Sequence, residues 1–173
     1  MPSDNLWAPW RKLYITAEKP ADCVFCHAQK SDDDAKNYVL YRDDLVFVIM
    51  NLYPYNNGHI MIIPNRHISD YTELTAAERN RLAELTNISL QVLKKALNPQ
   101  GFNIGYNLGA AAGAGIASHM HQHIVPRWSG DTNFMPVVAD IKVISEHMDE
   151  TYRKLLKVFK ELPLPSRGWH DLL

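Results

Sequence analysis

One helix-patterned stretch lies between two groups of β-favouring runs, and that order restricts the fold more than any other feature of the chain. Thr75-Ala76-Ala77-Glu78 has the spacing of a capping box, and Leu82, Leu85, Ile88, Val92, Leu93 and Ala96 follow at helical intervals until Asn98-Pro99 stops the pattern. The spacing predicts a helix over 75–97. Before it, residues 38–41 and 45–50 read as a hairpin across Arg42-Asp43-Asp44, and Asn56-Asn57-Gly58 is a turn leading into an apolar strand at 59–63, closed by Pro64. After it, 102–107 and 119–125 read as strands, and a second helix is predicted over about 145–162. Strands, helix, strands, helix, with no regular βαβ alternation, predict an α+β fold: an antiparallel sheet of about five strands with two main helices.

The chain has 173 residues, 46% hydrophobic and 21% charged, which suffices for an apolar core without disulfide or metal. It reads as one domain over 1–173, with an N-terminal arm of about 1–37 and a C-terminal helical segment of about 145–173. Lys and Arg number 18 against 19 Asp and Glu, a net charge of -1 with no run of five like charges, so the surface carries no footprint for nucleic acid or an anionic membrane. A phosphate-bearing partner must be small and gripped locally. The first residues interleave Trp7, Trp10, Arg11 and Lys12 without an apolar stretch, unlike a secretory or transit peptide. No apolar run approaches the roughly 20 residues of a membrane span, and a cytoplasmic location is expected. In such a reducing compartment the Cys23-x-x-Cys26 pair favours metal or redox chemistry over a structural disulfide. One pair alone cannot complete a zinc site.

His119, His121 and His123 alternate within the last predicted strand, so all three imidazoles face one side of the sheet, with Met120 and Gln122 on the other. Such a set suits either metal binding or nucleophilic catalysis by the central imidazole. The stretch just upstream, 107–118, holds eight Ala or Gly in twelve residues. Gly109, Gly113 and Gly115 can bring backbone N–H groups close to an anion, and that favours an enzyme handling phosphates over a metal site. Asp32 to Asp34 and Asp43-Asp44 lie in polar turns and offer no paired-carboxylate mechanism.

The run His119-Met-His-Gln-His-Ile-Val125 resembles the signature of the histidine triad superfamily of nucleotide hydrolases and transferases, with Gln122 standing where the pattern has an apolar residue. The resemblance extends to Met50-Asn51, Gly58-His59-Ile-Met-Ile-Ile-Pro64, Asn107 and the Gly-Ala loop. Leu6-Trp-Ala-Pro-Trp-Arg11, Cys23-Val-Phe-Cys26, Gly113-Ala-Gly-Ile116 and Pro126-Arg-Trp-Ser-Gly-Asp131, followed by Asn133-Phe134, are similar to the bacterial branch that includes diadenosine tetraphosphate phosphorylases of this type.

The resemblance implies nucleotidyl transfer or hydrolysis on dinucleoside polyphosphates through a covalent nucleotidyl-His121, with phosphorolysis favoured. His123 would orient the nucleophile near the ribose and phosphate, His119 would support the site from the other side, and the backbone carbonyl of His59 would hold the His121 ring. Asn51 would meet ribose hydroxyls. Asn107, with the N–H groups of Ala114 and Gly115, would hold phosphate oxygens. Gly115 stands where many family members carry Gln, Ser or Thr, so a side-chain phosphate contact is lost. Arg127 reads equally as a surface ion-pair partner and is left out of the site. The family is usually dimeric, and a homodimer is expected.

Zinc-bearing relatives use positions matching His67 and His119, which with Cys23 and Cys26 would make a structural zinc site pinning the arm against the triad strand; His27 is a rival ligand. Without metal, the cysteines would pack as small hydrophobes. Two other readings stay open: a hydrolase of nucleoside phosphoramidates, and a non-catalytic nucleotide- or zinc-binding module. Trp7, Trp10 and Tyr14 are expected to pack the arm or a subunit interface.

Overall fold

The computed structural model describes residues 23–131 and 146–162; Trp7, Trp10, Tyr14, the 6–11 motif and Asn133-Phe134 lie outside them. Strands β1 (Val39–Arg42), β2 (Val46–Met50), β3 (Ile60–Pro64), β4 (Gly101–Tyr106) and β5 (Gln122–Arg127) form one antiparallel sheet in the order β1-β2-β3-β5-β4. Three helices occur among the described residues: α1 (Val24–Lys30), α2 (Ala76–Leu97) and α3 (Met148–Glu161). The expected α+β fold is the observed one. None of these helices is long and apolar enough to cross a membrane.

β2 and β3 are buried at every position, so they read as continuous apolar runs rather than alternating ones. Val46, Val48 and Met50 of β2, Ile60 and Ile62 of β3, and Met120 and Ile124 face one side. There they pack on Leu82, Leu85, Ile88, Val92 and Leu93 of α2 and on Tyr152, Leu155, Val158 and Phe159 of α3. Each such side chain stabilises the fold by about 1.5–3 kcal/mol. Phe47, Ile49, Met61 and Ile63 face the other side and are covered by Phe25 and Ala28 of α1. The sheet therefore has a helix-covered back and a front shared between α1 and the histidines.

α2 starts at the predicted place. Thr75 accepts from the Glu78 N–H at 3.2 Å, and the Glu78 carboxylate accepts the Thr75 N–H at 2.8 Å. It ends at Asn98, whose left-handed backbone (φ 49°) turns the chain before Pro99. Gly58 (φ +73°) closes the turn before β3, and a Cβ there would collide with Leu97 at the end of α2.

Three expectations are corrected. The sequence reading has no helix at 24–30, yet α1 forms there, because burial of Phe25 and Ala28 supports a helix too short to stand on propensity. β5 begins at Gln122, not at 119: its pairing with β3 runs only from Ile60↔Ile124 to Ile62↔Gln122. Upstream, the Met120 N–H donates to the Ile68 carbonyl beyond the end of β3 instead. Asp43 is not a solvated turn residue. Its carboxylate accepts the Leu45 and Val46 N–H groups at 2.8 Å each and meets Arg81 of α2 at 2.5 Å, with both side chains buried.

Candidate active site and metal cluster

The alternation of residues 119 to 123 survives the late start of β5. Met120 joins the core behind the sheet, and Gln122 turns the same way, where its amide meets the Thr86 hydroxyl of α2 at 2.9 Å. A polar pair thus replaces the apolar contact that the position would otherwise make. His119, His121 and His123 turn forward and are all buried. The His121 and His123 ring centroids are 4.7 Å apart, His123 and His59 are 5.0 Å apart, and His67 and His119 are 4.9 Å apart. The imidazoles form a row along the front of the sheet.

Backbone groups fix the tautomers in that row. Nδ1 of His121 lies 2.9 Å from the His119 carbonyl oxygen; a carbonyl only accepts, so Nδ1 carries the hydrogen and Nε2 keeps its lone pair. Nε2 of His119 lies 2.9 Å from the Pro64 carbonyl, so its lone pair is on Nδ1. The Tyr55 N–H donates to Nδ1 of His59 at 3.0 Å, so Nε2–H of His59 donates to Nδ1 of His123 at 2.9 Å. His123 is left with an N–H at Nε2, and that buried atom has no partner among the described residues. A nucleophilic nitrogen and a hydrogen-bond donor therefore stand side by side.

Burial drives the electrostatics. Desolvation holds His119 and His121 below the usual imidazole range, and it pushes His123 down to about 4, with the neighbouring His121 acting in the same direction. All three rings are neutral near pH 7, which keeps the His121 lone pair available.

His59 reaches the site, but not as expected: its carbonyl accepts the Asn51 N–H at 2.9 Å, and the His119 carbonyl takes the orienting role instead. Asn51 follows β2 directly; its Nδ2 is 3.3 Å from His59 Nδ1, and its Oδ1 accepts the Tyr53 N–H. Asn107, just past β4, donates from Nδ2 to the Tyr55 hydroxyl at 3.5 Å. The loop after it turns at Gly109 and Gly113, with φ of 80° and 87°. The Ala114 N–H donates to the Gly109 carbonyl at a long 3.3 Å, within the loop. Arg127 pairs with Asp131 and Asn103 and stays outside the site.

Cys23, Cys26, His67 and His119 come together, with one ligand atom from each within 4.8 Å of the others. Sγ of Cys23 is 3.4 Å from Nδ1 of His119, and Sγ of Cys26 is 3.2 Å from Nδ1 of His67 and 3.6 Å from Nδ1 of His119. Two thiols and two imidazoles bound tetrahedrally at about 2.3 and 2.0 Å have S···N edges near 3.5 Å, so the donor set fits zinc. The Pro64 carbonyl on the far nitrogen of His119 is the outer contact that a ligating imidazole requires. His27, on the exposed side of α1, is not in the cluster.

Two residues of the site escaped the sequence reading. Phe25, between the cysteines, lies against both His119 and His121. The Tyr55 ring packs at a tilt, its centroid 4.6 Å from that of His59 and 5.4 Å from that of His123. An aromatic residue inside a Cys-x-x-Cys turn and another beside a Pro-initiated turn were the available signals.

Comparison with known proteins agrees with this geometry. The family model described as HIT domain matches residues 33–130. The chain is 37% identical to an AP-4-A phosphorylase of Mycobacterium tuberculosis over 169 residues, covering 92% of this chain and 86% of the relative. Among solved structures, a Zn-bound histidine triad family protein from Mycobacterium smegmatis superposes with a TM-score of 0.65 at 26% identity, covering 81% of this chain and 94% of that one. A hypothetical histidine triad nucleotide-binding protein from Sulfolobus tokodaii gives a TM-score of 0.62 at 29% identity, covering 80% and 90%. With the triad, the fold and the family model in agreement, the chain belongs to the HIT domain family.

Proposed function

We propose that the chain splits dinucleoside polyphosphates by nucleotidyl transfer through His121, with inorganic phosphate as the second acceptor. The observation that carries the reading is the tautomer of His121: its Nδ1–H is held by the His119 carbonyl, which leaves Nε2 unprotonated on the site face. Likeness to an AP-4-A phosphorylase over most of both chains supports the substrate class and the acceptor.

In the first step Nε2 of His121 attacks the α-phosphorus of diadenosine tetraphosphate. An N–P bond forms, the P–O bond to the rest of the chain breaks, and ATP leaves. The Nε2–H of His123 donates to an oxygen of the reacting phosphate, and N–H groups of the 109–118 loop offset the developing charge. In the second step a phosphate oxygen attacks the same phosphorus, the N–P bond breaks and ADP is released. Dividing the substitution in two lowers each barrier. Asn51 meets the ribose hydroxyls. Asn107 and the Gly115 N–H hold phosphate oxygens, and the Ala114 N–H joins them by exchanging its long bond within the loop.

The Cys23, Cys26, His67 and His119 cluster holds zinc in a structural role on this reading, supported by its spacing and by likeness to a Zn-bound family protein. A homodimer through β4, an edge strand on which Ile104 is exposed, belongs to the same proposal.

The test is product analysis with diadenosine tetraphosphate, with and without phosphate. ADP plus ATP, formed only with phosphate, is expected. AMP plus ATP without phosphate would replace the phosphorylase with a hydrolase, and no turnover would direct attention to phosphoramidates and then to a binding module.

A further inference from the structure

The Cys23–Cys26 turn carries more than two thiols. Phe25 stands between them, 4% exposed, at the start of α1. Its ring meets His119 edge-on, with centroids 5.6 Å apart at 89°, and meets His121 at 5.0 Å and 56°. It also belongs to the apolar cluster on which Ile116, from the 109–118 loop, packs. One side chain between two cysteines of the metal cluster thus touches a histidine of that cluster, the proposed nucleophile, and the cluster beneath the phosphate loop.

The His121 ring needs such a neighbour. An imidazole turns about a soft terminal torsion, and one hydrogen bond from Nδ1 tolerates a ring tilt of about 30°, which moves Nε2 by about 1 Å, a misplacement that costs about tenfold or more in rate. A second constraint on the ring face is required to make that orientation nearly unique. α1 supplies it, but α1 has only seven residues and no side-chain cap at Cys23, so its place depends on what anchors it at the cysteines.

We propose that Phe25 is a positioning residue for His121, and that metal held by Cys23, Cys26, His67 and His119 sets Phe25 in place. The inference rests on the reading of His121 as nucleophile. Metal occupancy then tunes the rate rather than the affinity. Asn51, which meets the ribose in the proposed reaction, contacts His59, two rings along the row from the His121 that Phe25 touches.

The experiment combines Phe25→Leu, with Phe25→Met as a second variant should the first not fold, with chelator treatment and re-addition of Zn2+. Readouts are metal content, kcat, KM and the ring NMR resonances of His121. The folded variant is expected to keep its metal and lose about tenfold in kcat, with KM within about twofold. Stripping the metal from the wild type lowers kcat similarly and moves the His121 resonances; in the variant it changes neither much further. Val24→Ala, in the same turn but 42% exposed, leaves all readouts unchanged. Wild-type kcat in the variant, effects of variant and stripping that multiply, or His121 resonances indifferent to Zn2+ would overturn the proposal. A wild type that turns over no dinucleoside polyphosphate removes the functional reading, and the resonances then decide this inference alone.

Discussion

The carbonyl oxygen of His119 lies 2.9 Å from Nδ1 of His121, two residues along the same segment. The main chain itself thereby sets which nitrogen of that imidazole keeps its lone pair. His121→Gln keeps a hydrogen-bonding side chain but no nucleophilic nitrogen. It is expected to lower kcat on diadenosine tetraphosphate by more than about a thousandfold, with AMP binding by calorimetry changed only a few-fold. Residual turnover above a tenth of wild type would remove His121 from the reaction.

Cys26 approaches both histidines of the cluster. Cys26→Ser should reduce zinc from about one equivalent per chain to a trace, measured by elemental analysis, and lower Tm by about 5 °C. Zinc-free wild-type protein with an unchanged Tm would end the metal assignment.

Protonation of His123 links stability to pH. Burial lowers its pKa from 6.5 to about 4, so between those values the unfolded chain binds the proton and the folded chain does not. The contribution of His123 to stability is therefore constant above about pH 6.5 and is lost as pH drops toward 4. The loss is on the order of 3 kcal/mol, and His123→Asn should flatten that part of a denaturant titration series.

Gly58 has a positive φ and no room for a Cβ beside Leu97. Gly58→Ala combines backbone strain with a steric clash and should cost about 2–3 kcal/mol in chemical denaturation. Gly109 also has a positive φ but open space around it, so Gly109→Ala should cost only about 1 kcal/mol.

Glu78 closes the α2 capping box while the Arg66 guanidinium, its strongest partner, holds its carboxyl down to about 2. A lowered carboxyl pKa stabilises the fold above the ordinary value of 4.5, and that contribution is lost as pH falls toward 2. Glu78→Gln should destabilise at pH 7 by about 1 kcal/mol through the weakened cap. The gap between variant and wild type should narrow in acid; a constant gap from pH 7 to pH 2 would refute the link.

Legibility in the sequence followed the range of the interaction. α2 was readable because Thr75, Glu78 and the apolar stripe lie within one helix, and the forward-facing histidines because alternation is local. α1 was not, because its stability comes from Phe25 and Ala28 packing on strands β1 to β3. The carbonyl that orients His121 is that of His119 and not, as the resemblance implies, that of His59, since backbone partners depend on where β5 leaves β3, and no residue type marks that place. His67 is 41 residues from Cys26; only family resemblance, not spacing, joined them.

The N–H of His123, without a partner among the described residues, bears on how such a chain can evolve. Enclosing a donor without an acceptor costs about 1–3 kcal/mol, a handicap that a ligand oxygen removes on arrival. Lineages selected purely for heat tolerance would gain by replacing this imidazole with a hydrocarbon, and would surrender the donor that the proposed reaction uses. Thermal hardening of this scaffold is therefore expected to accumulate on the helix-covered back of the sheet and to leave position 123 alone.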